Sequence, residues 1–236
     1  MDSDEQFLSK QNVSAVESNT SAVTDATKVF FPDLQGRLKS VTVNPLDMPR
    51  LHTQGTGIDG SSVPGFASVD DSDMVLIPMR ESLRVLQFPK KTIGFYIGRL
   101  HEQGGGRSSL DPRAVLERVV ERAERDHGLR FLLGPEHEFF LLGSDEFSSS
   151  SSEDMHTDKA GYFGTSPGDA GEPIRQQIAD VLGCCGIRYE KMHHEVTPSQ
   201  QEINLECGPP LEVADRTLLF THVTKEVAFE NGLHAT

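Results

Sequence analysis

The stretch Gly134-Pro135-Glu136-His137-Glu138-Phe139-Phe140 decides how the rest of this chain is read. Its flanks, Leu132 and Leu133 before and Phe139 and Phe140 after, predict a long strand over residues 130–142. Side chains alternate along a strand, so Glu136 and Glu138 share a face about 7 Å apart. A lone Glu-x-Glu is most often an exposed strand face. Apolar residues on both sides weaken that reading, because two like charges would then repel each other where hydration is poor.

A second acidic run, His193-His194-Glu195-Val196-Thr197-Pro198-Ser199-Gln200-Gln201-Glu202, reads as a hairpin between strands at 188–196 and 201–207. With Pro198-Ser199 as a two-residue loop, Glu195 lies directly opposite Glu202. Like charges in that position destabilise a ladder unless a cation sits between them. Two carboxylate pairs, each set on one face by separate geometry, point to a shared cation. All-oxygen ligation by Glu suits Mg²⁺ or Mn²⁺. His193 and His194 point to opposite faces of a strand, so at most one joins the site. Such a cluster suits phosphoryl transfer, in which metals clamp charged oxygens.

Outward from these motifs, the clearest helix starts with Asp111 as N-cap and Pro112 at its first position, with Gly128 after its end. Val115, Leu116, Val119, Val120 and Ala123 form its predicted buried stripe. Gly104 to Ser109 before it marks a plausible domain boundary. Further helices are predicted over 172–184 and 213–231, the latter with Leu219, Phe220, Val223 and Val227 on one face and Gly232 as its stop. Upstream, strand, turn and strand occupy 29–43, a glycine-rich loop 55–65, and short strands 74–78, 83–88 and 92–97. Residues 1–27 read as a polar tail and Ser148 to Ser152 as a low-complexity loop.

With 22 basic against 36 acidic residues, the formal charge of −14 disfavours non-specific nucleic-acid binding. No apolar run approaches the roughly 18 residues of a membrane span, and the N-terminus has no secretory pattern. Cys184, Cys185 and Cys207 form neither a disulfide framework nor a zinc pattern, which suits a reducing, cytoplasmic setting. There is no Gly-x-x-x-x-Gly-Lys phosphate loop.

In this order, the motifs resemble the glutamine synthetase family. Gly57-Ile58-Asp59-Gly60-Ser61-Ser62 is similar to its Asp-Gly-Ser-Ser loop, and Gly134 to Phe140 to its Gly-x-Glu-x-Glu-Phe-Phe strand. Asp158-Lys159-Ala160-Gly161-Tyr162-Phe163 resembles its Gly-Tyr-Phe segment, and His193 to Glu202 its His-His-Glu hairpin. The resemblance runs from about residue 28 to Thr236. It implies an α+β chain: a β-grasp-like N-terminal domain (28–103), then the first part of an α/β catalytic domain with a curved antiparallel sheet (104–236). It further implies that Glu138, Glu195 and Glu202 hold one metal ion and Glu136 contributes to a second. Glu190 and His193 match positions on the ATP side. Asp59 and Ser62, with a neighbouring subunit's Tyr162, match positions that bind ammonium between subunits of a homo-oligomeric ring.

The reaction implied is ATP-dependent phosphorylation of the glutamate side-chain carboxylate, followed by displacement of phosphate by ammonia. Ile58, Met79, Gln87-Phe88 and Cys207 depart from the family pattern. Its later metal ligands and arginines are not present before Thr236, so the sequence predicts a truncated catalytic domain. On that reading the chain is inactive alone and leaves the 213–231 helix with its apolar face bare. A γ-glutamyl-amine or polyamine ligase is an alternative, as is an inactive structural or regulatory relative.

Overall fold

The computed structural model describes residues 24–68, 72–143 and 155–236. Most of the polar tail and the serine run 148–152 lie outside the described residues. The chain divides into two compact units, Met1–Leu129 and Arg130–Thr236.

In the first unit, β1 (Ala26–Pro32) and β2 (Leu38–Val43) form an antiparallel hairpin. Its turn is held by Asp33, whose carboxylate accepts the N–H groups of Gln35 and Arg37, both at 2.9 Å, with Lys39 at 3.4 Å. A short helix, α1 (Met48–Gln54), follows, and then β3 (Thr56–Asp59), β4 (Asp73–Pro78), β5 (Arg84–Gln87) and β6 (Thr92–Glu102). The sheet order is β2-β1-β6-β4-β3, with β5 also on β6, and only the β1–β6 pair is parallel. Val29, Phe31, Met74, Leu76 and Leu100 form a core on this sheet. The approach is close at Gly98: a Cβ there would meet Leu76 Cδ1 at 2.4 Å and Val29 Cγ1 at 2.9 Å.

Helix α2 (Pro112–His127) begins as expected, with the Asp111 carboxylate accepting the Arg113 N–H at 2.9 Å. Its second oxygen accepts Leu100 N–H at 3.1 Å and Arg107 Nε–H at 2.8 Å, which ties the helix start to β6. Gly128, at φ 65°, ends the helix in the left-handed region that an L side chain resists. The expected buried stripe is not buried: Val115 is 42% and Val119 57% exposed, and Arg113 and Ala114 are buried instead. Polar ties do the anchoring, at Asp111 in the cap and at Glu117, which pairs with Arg107 at 3.0 Å.

In the second unit, β7 (Glu136–Gly143), α3 (Glu172–Cys184), β8 (Tyr189–His194), β9 (Gln200–Leu205), α4 (Pro210–Glu230) and β10 (Leu233–Ala235) follow in order. The sheet is antiparallel throughout, in the order β10-β7-β9-β8. Strand β9 is central and buried on both faces. The predicted strand over 130–142 starts later, at Glu136. Pro135 has no N–H to give a ladder, and Leu132, 73% exposed, finds no core.

The bare helix face expected on α4 is absent. Leu219, Phe220 and Val223 are 5%, 4% and 0% exposed. Phe220 stacks on His137 at 4.4 Å and meets Phe139 edge-on at 5.9 Å, so β7 itself covers the helix. Leu233–Ala235 pair antiparallel with β7, Leu233 opposite Gly143 and Ala235 opposite Leu141. Among the described residues no helix is long and apolar enough to cross a membrane.

Candidate metal centre

Three strands build the site. In the ladder, Glu138 of β7 lies directly opposite Glu202 of β9, which lies opposite His193 of β8. One row therefore carries carboxylate, carboxylate and imidazole on a single face. The next row pairs Glu136 with Asn204 and Asn204 with Lys191. Glu190 is the extra residue of a bulge between Tyr189 and Lys191, beside this row.

The hairpin register differs from the expected one. His193, not Glu195, faces Glu202, and residues 195–199 form a longer loop. Ser199 takes φ 64°, and Gln200 N–H bonds back to Thr197 O at 3.0 Å, so the turn needs five residues. The register moves by an even step, which keeps each side chain on its face. Glu195 still reaches Glu202: ligand atoms of His193, Glu195 and Glu202 all lie within 4.8 Å of one another.

The electrostatics of this trio call for a positive partner. Burial first, and the neighbouring Glu195 carboxyl second, push the Glu202 carboxyl above its ordinary pKa. His193, 8% exposed, has Nδ1 bonded to His194 O at 3.2 Å. A carbonyl only accepts, so Nδ1 carries a proton and Nε2 is the ring nitrogen turned toward the acidic face. That Nε2 is buried without a hydrogen-bond partner, 3.5 Å from a Glu202 oxygen. Carboxylates of Glu195 and Glu202 and this imidazole nitrogen converge within 4.8 Å, with Glu138 opposite Glu202, a donor set that fits a divalent ion. Gln200 steadies Glu138 by donating to it at 2.7 Å. Tyr162 and Phe163 stack on each other at 4.0 Å, and both rings stand edge-on to His193, at 5.3 and 4.8 Å.

Behind this face lies a buried cluster that the sequence reading missed. His194 Nε2 bonds to Asp158 at 2.9 Å and its Nδ1 to Glu195 O at 2.6 Å. Asp158 also accepts Ser199 N–H at 3.0 Å and Ala170 N–H at 3.1 Å. Burial raises the Asp158 pKa, but the bonds from His194 and these N–H groups outweigh it and the net shift is downward. Asp169 pairs with Arg175 through two bonds, at 3.1 and 2.6 Å, and Arg175 also bonds Gln201. With its oxygens already engaged, this second cluster is a clamp rather than a cation site. Asp158 and His194 lie 36 residues apart, and only the unremarked Asp158 of the Gly-Tyr-Phe segment hinted at it.

Asp59 and Ser62 belong to the first unit. The Asp59 carboxylate accepts Ser61 Oγ–H at 2.7 Å, Ser61 N–H at 2.9 Å and Ser62 Oγ–H at 2.8 Å. These bonds, the Ser61 hydroxyl first and Ser62 next, hold its pKa below the ordinary value while it stays exposed. Cys184 and Cys207 are exposed, and Cys185 is buried with its thiol donating to Leu182 O at 3.2 Å.

Residues 109–236 match the family model described as glutamine synthetase, catalytic domain, and residues 24–102 match its beta-Grasp domain. Glutamine synthetase of Mycobacterium tuberculosis is 36% identical over 213 residues, covering 89% of this chain and 47% of that protein. That of Halobacterium salinarum is 34% identical over 215 residues, covering 90% and 47%. Among solved structures, Plasmodium falciparum glutamine synthetase superposes with a TM-score of 0.79 at 20% identity, over 95% of this chain and 50% of that one. At that identity it speaks for the fold alone. A GmaS/ADP complex superposes with a TM-score of 0.78 at 26% identity, over 95% and 50%. The chain spans about half the length of the curated relatives it matches. Fold and matches together define a ligase architecture, a β-grasp domain followed by a catalytic domain on a curved antiparallel sheet. The chain belongs to the glutamine synthetase family.

Proposed function

We propose that this chain is part of a metal-dependent, ATP-consuming glutamate–ammonia ligase. The observation that carries the reading is the row Glu138–Glu202–His193, with Glu195 beside it and a buried imidazole nitrogen turned toward a carboxylate. Glu138, Glu195 and Glu202, with His193 beside them, would hold one Mg²⁺ or Mn²⁺, and Glu136 would contribute to a second. Bound there, the ions supply charge neutralisation for phosphoryl oxygens.

The protein's own groups then have separate tasks. In the proposed reaction the glutamate side-chain carboxylate takes the terminal phosphoryl group of ATP, ADP leaves, and ammonia attacks the acyl carbon as phosphate departs. Glu190 and His193 would face the nucleotide. Tyr162, half exposed over His193, would border the site where the nucleophile enters. Asp59, with Ser62 bonded to it, would serve a neighbouring subunit's site in a homo-oligomeric ring. Its depressed pKa makes it a weak base. It therefore suits holding an ammonium cation better than removing its proton.

The test is Mn²⁺ titration of the purified protein, wild type against Glu202→Gln, followed by calorimetry. Affinity should drop by at least about tenfold in the variant. No Mn²⁺ binding by the wild type, or equal binding by both, would sink the reading. Phosphate release with ATP and glutamate, comparing ammonium with alkylamines and polyamines, separates ammonia ligation from amine ligation.

A further inference from the structure

The second row of the site contains a polar group that none of the tasks above uses. Asn204 is 3% exposed, lies between Glu136 and Lys191 in the ladder, and shares the face of Glu202 two residues away. Its side chain favours the charged form of the Glu202 carboxyl, the effect of an amide N–H turned toward it. Only the Nδ2 end of the amide can donate, so Glu202 dictates which way the amide is turned. The reverse orientation would set Oδ1 against a carboxylate with no proton between them. In the orientation so fixed, Oδ1 is buried and has no hydrogen-bond partner.

A buried amide oxygen without a donor costs about 1–3 kcal/mol. Proteins keep such a group where something else satisfies it. Here the neighbours on the same face are carboxylates, which only accept, and the exposed Lys191 makes no bond to the oxygen. Amide oxygens are good ligands for hard divalent ions, and a neutral one adds a ligand without adding repulsion to an already acidic cluster.

We infer that Asn204 is a further oxygen ligand of the cation site, seated between the Glu202 row and Glu136. The inference rests on the metal reading above. It divides the amide's work: Nδ2 positions Glu202, and Oδ1 bonds to the ion. It also explains why an amide rather than an acid suits the position. An Asp would bring two acceptors and no donor, leaving Glu202 without its bond.

The experiment is Mn²⁺ binding with water-proton relaxation, which counts the waters left on the bound ion, in wild type, Asn204→Ala and Asn204→Asp. Melting curves without metal check that each variant folds. Asn204→Ala should weaken Mn²⁺ about 10–100-fold and raise the water count by one. Asn204→Asp, which keeps an oxygen, should retain the wild-type count and serves as the deciding variant if the alanine protein does not fold. An unchanged water count in Asn204→Ala, or an added water in Asn204→Asp, overturns the proposal. Failure of the wild type to bind Mn²⁺, or equal binding in Glu202→Gln, instead overturns the metal reading on which it rests.

Discussion

Replacing Asp158 by Ala should unfasten the hairpin that carries Glu195. The Asp158 carboxylate is the common acceptor for three donors: His194 Nε2 at 2.9 Å, Ser199 N at 3.0 Å and Ala170 N at 3.1 Å. Its side chain is 4% exposed and that of His194 0%, so water cannot readily replace it. Removing one partner of a buried pair costs about 3–5 kcal/mol, because the other is left uncompensated. With a urea m-value of roughly 1–3 kcal/mol/M, the unfolding midpoint should move down by at least about 1 M. Asp158→Asn keeps one carbonyl oxygen and should lose roughly half as much. Hydrogen exchange localises the effect: Ser199 and Ala170 amides should lose protection in the alanine variant, and those of β1 should not. Mn²⁺ affinity should fall alongside, since loop 195–199 is freed. An alanine variant whose midpoint lies within about 0.3 M of wild type, with Ser199 still protected, would refute the reasoning.

Three further outcomes can be checked directly. Phe220→Ala should cost about 3–5 kcal/mol through the cavity left against His137 and Phe139, whereas Phe229→Ala, 77% exposed, should stay within about 0.5 kcal/mol; equal costs in denaturant titrations would mean α4 is not seated as described. Asp33→Ala should lose stability at neutral pH. Burial pushes that carboxyl up, but the Arg37 and Gln35 N–H groups and Lys39 bring it below its ordinary value. A depressed folded pKa gives stability that is present above the unfolded value of about 3.9 and lost as pH falls through the folded one. The gap between wild type and variant melts should therefore shrink below about pH 4, and a gap unchanged at pH 3 contradicts the assignment. Asp59→Ala should leave Mn²⁺ binding and the melting curve unaltered while slowing ammonia-dependent turnover of the assembled enzyme; unaltered turnover removes Asp59 from the proposed site.

Much of the architecture was legible because it rests on local rules. Asp111, Pro112 and Gly128 mark both ends of α2, and alternation set the glutamates on one face before any register was known. What failed depended on distant partners. The stripe on α2 has the right period, but burial depends on what covers a helix, and this one is tied through Asp111 and Glu117 instead. Helix α1 has seven residues and a proline in its first turn, too short for a period to show. The two-residue loop assumed at Pro198-Ser199 ignored the left-handed Ser199, which Thr157 and Asp158 secure from 41 or more residues away. Asn204 drew no attention because nothing in a sequence tells a satisfied amide from an orphaned one.

The five-residue loop between β8 and β9 imposes a rule resembling a reading frame. Lengthening or shortening it by two residues slides β8 along β9 and still presents every second side chain to the same side. A single-residue change would swap the two sides of β8, sending His193 toward the clamp and His194 toward the glutamates. The bulge at Glu190 shows the one way such a frameshift is absorbed, by an extra residue left out of the ladder. Natural or engineered variation at this loop should therefore come in steps of two, or carry a compensating bulge within β8.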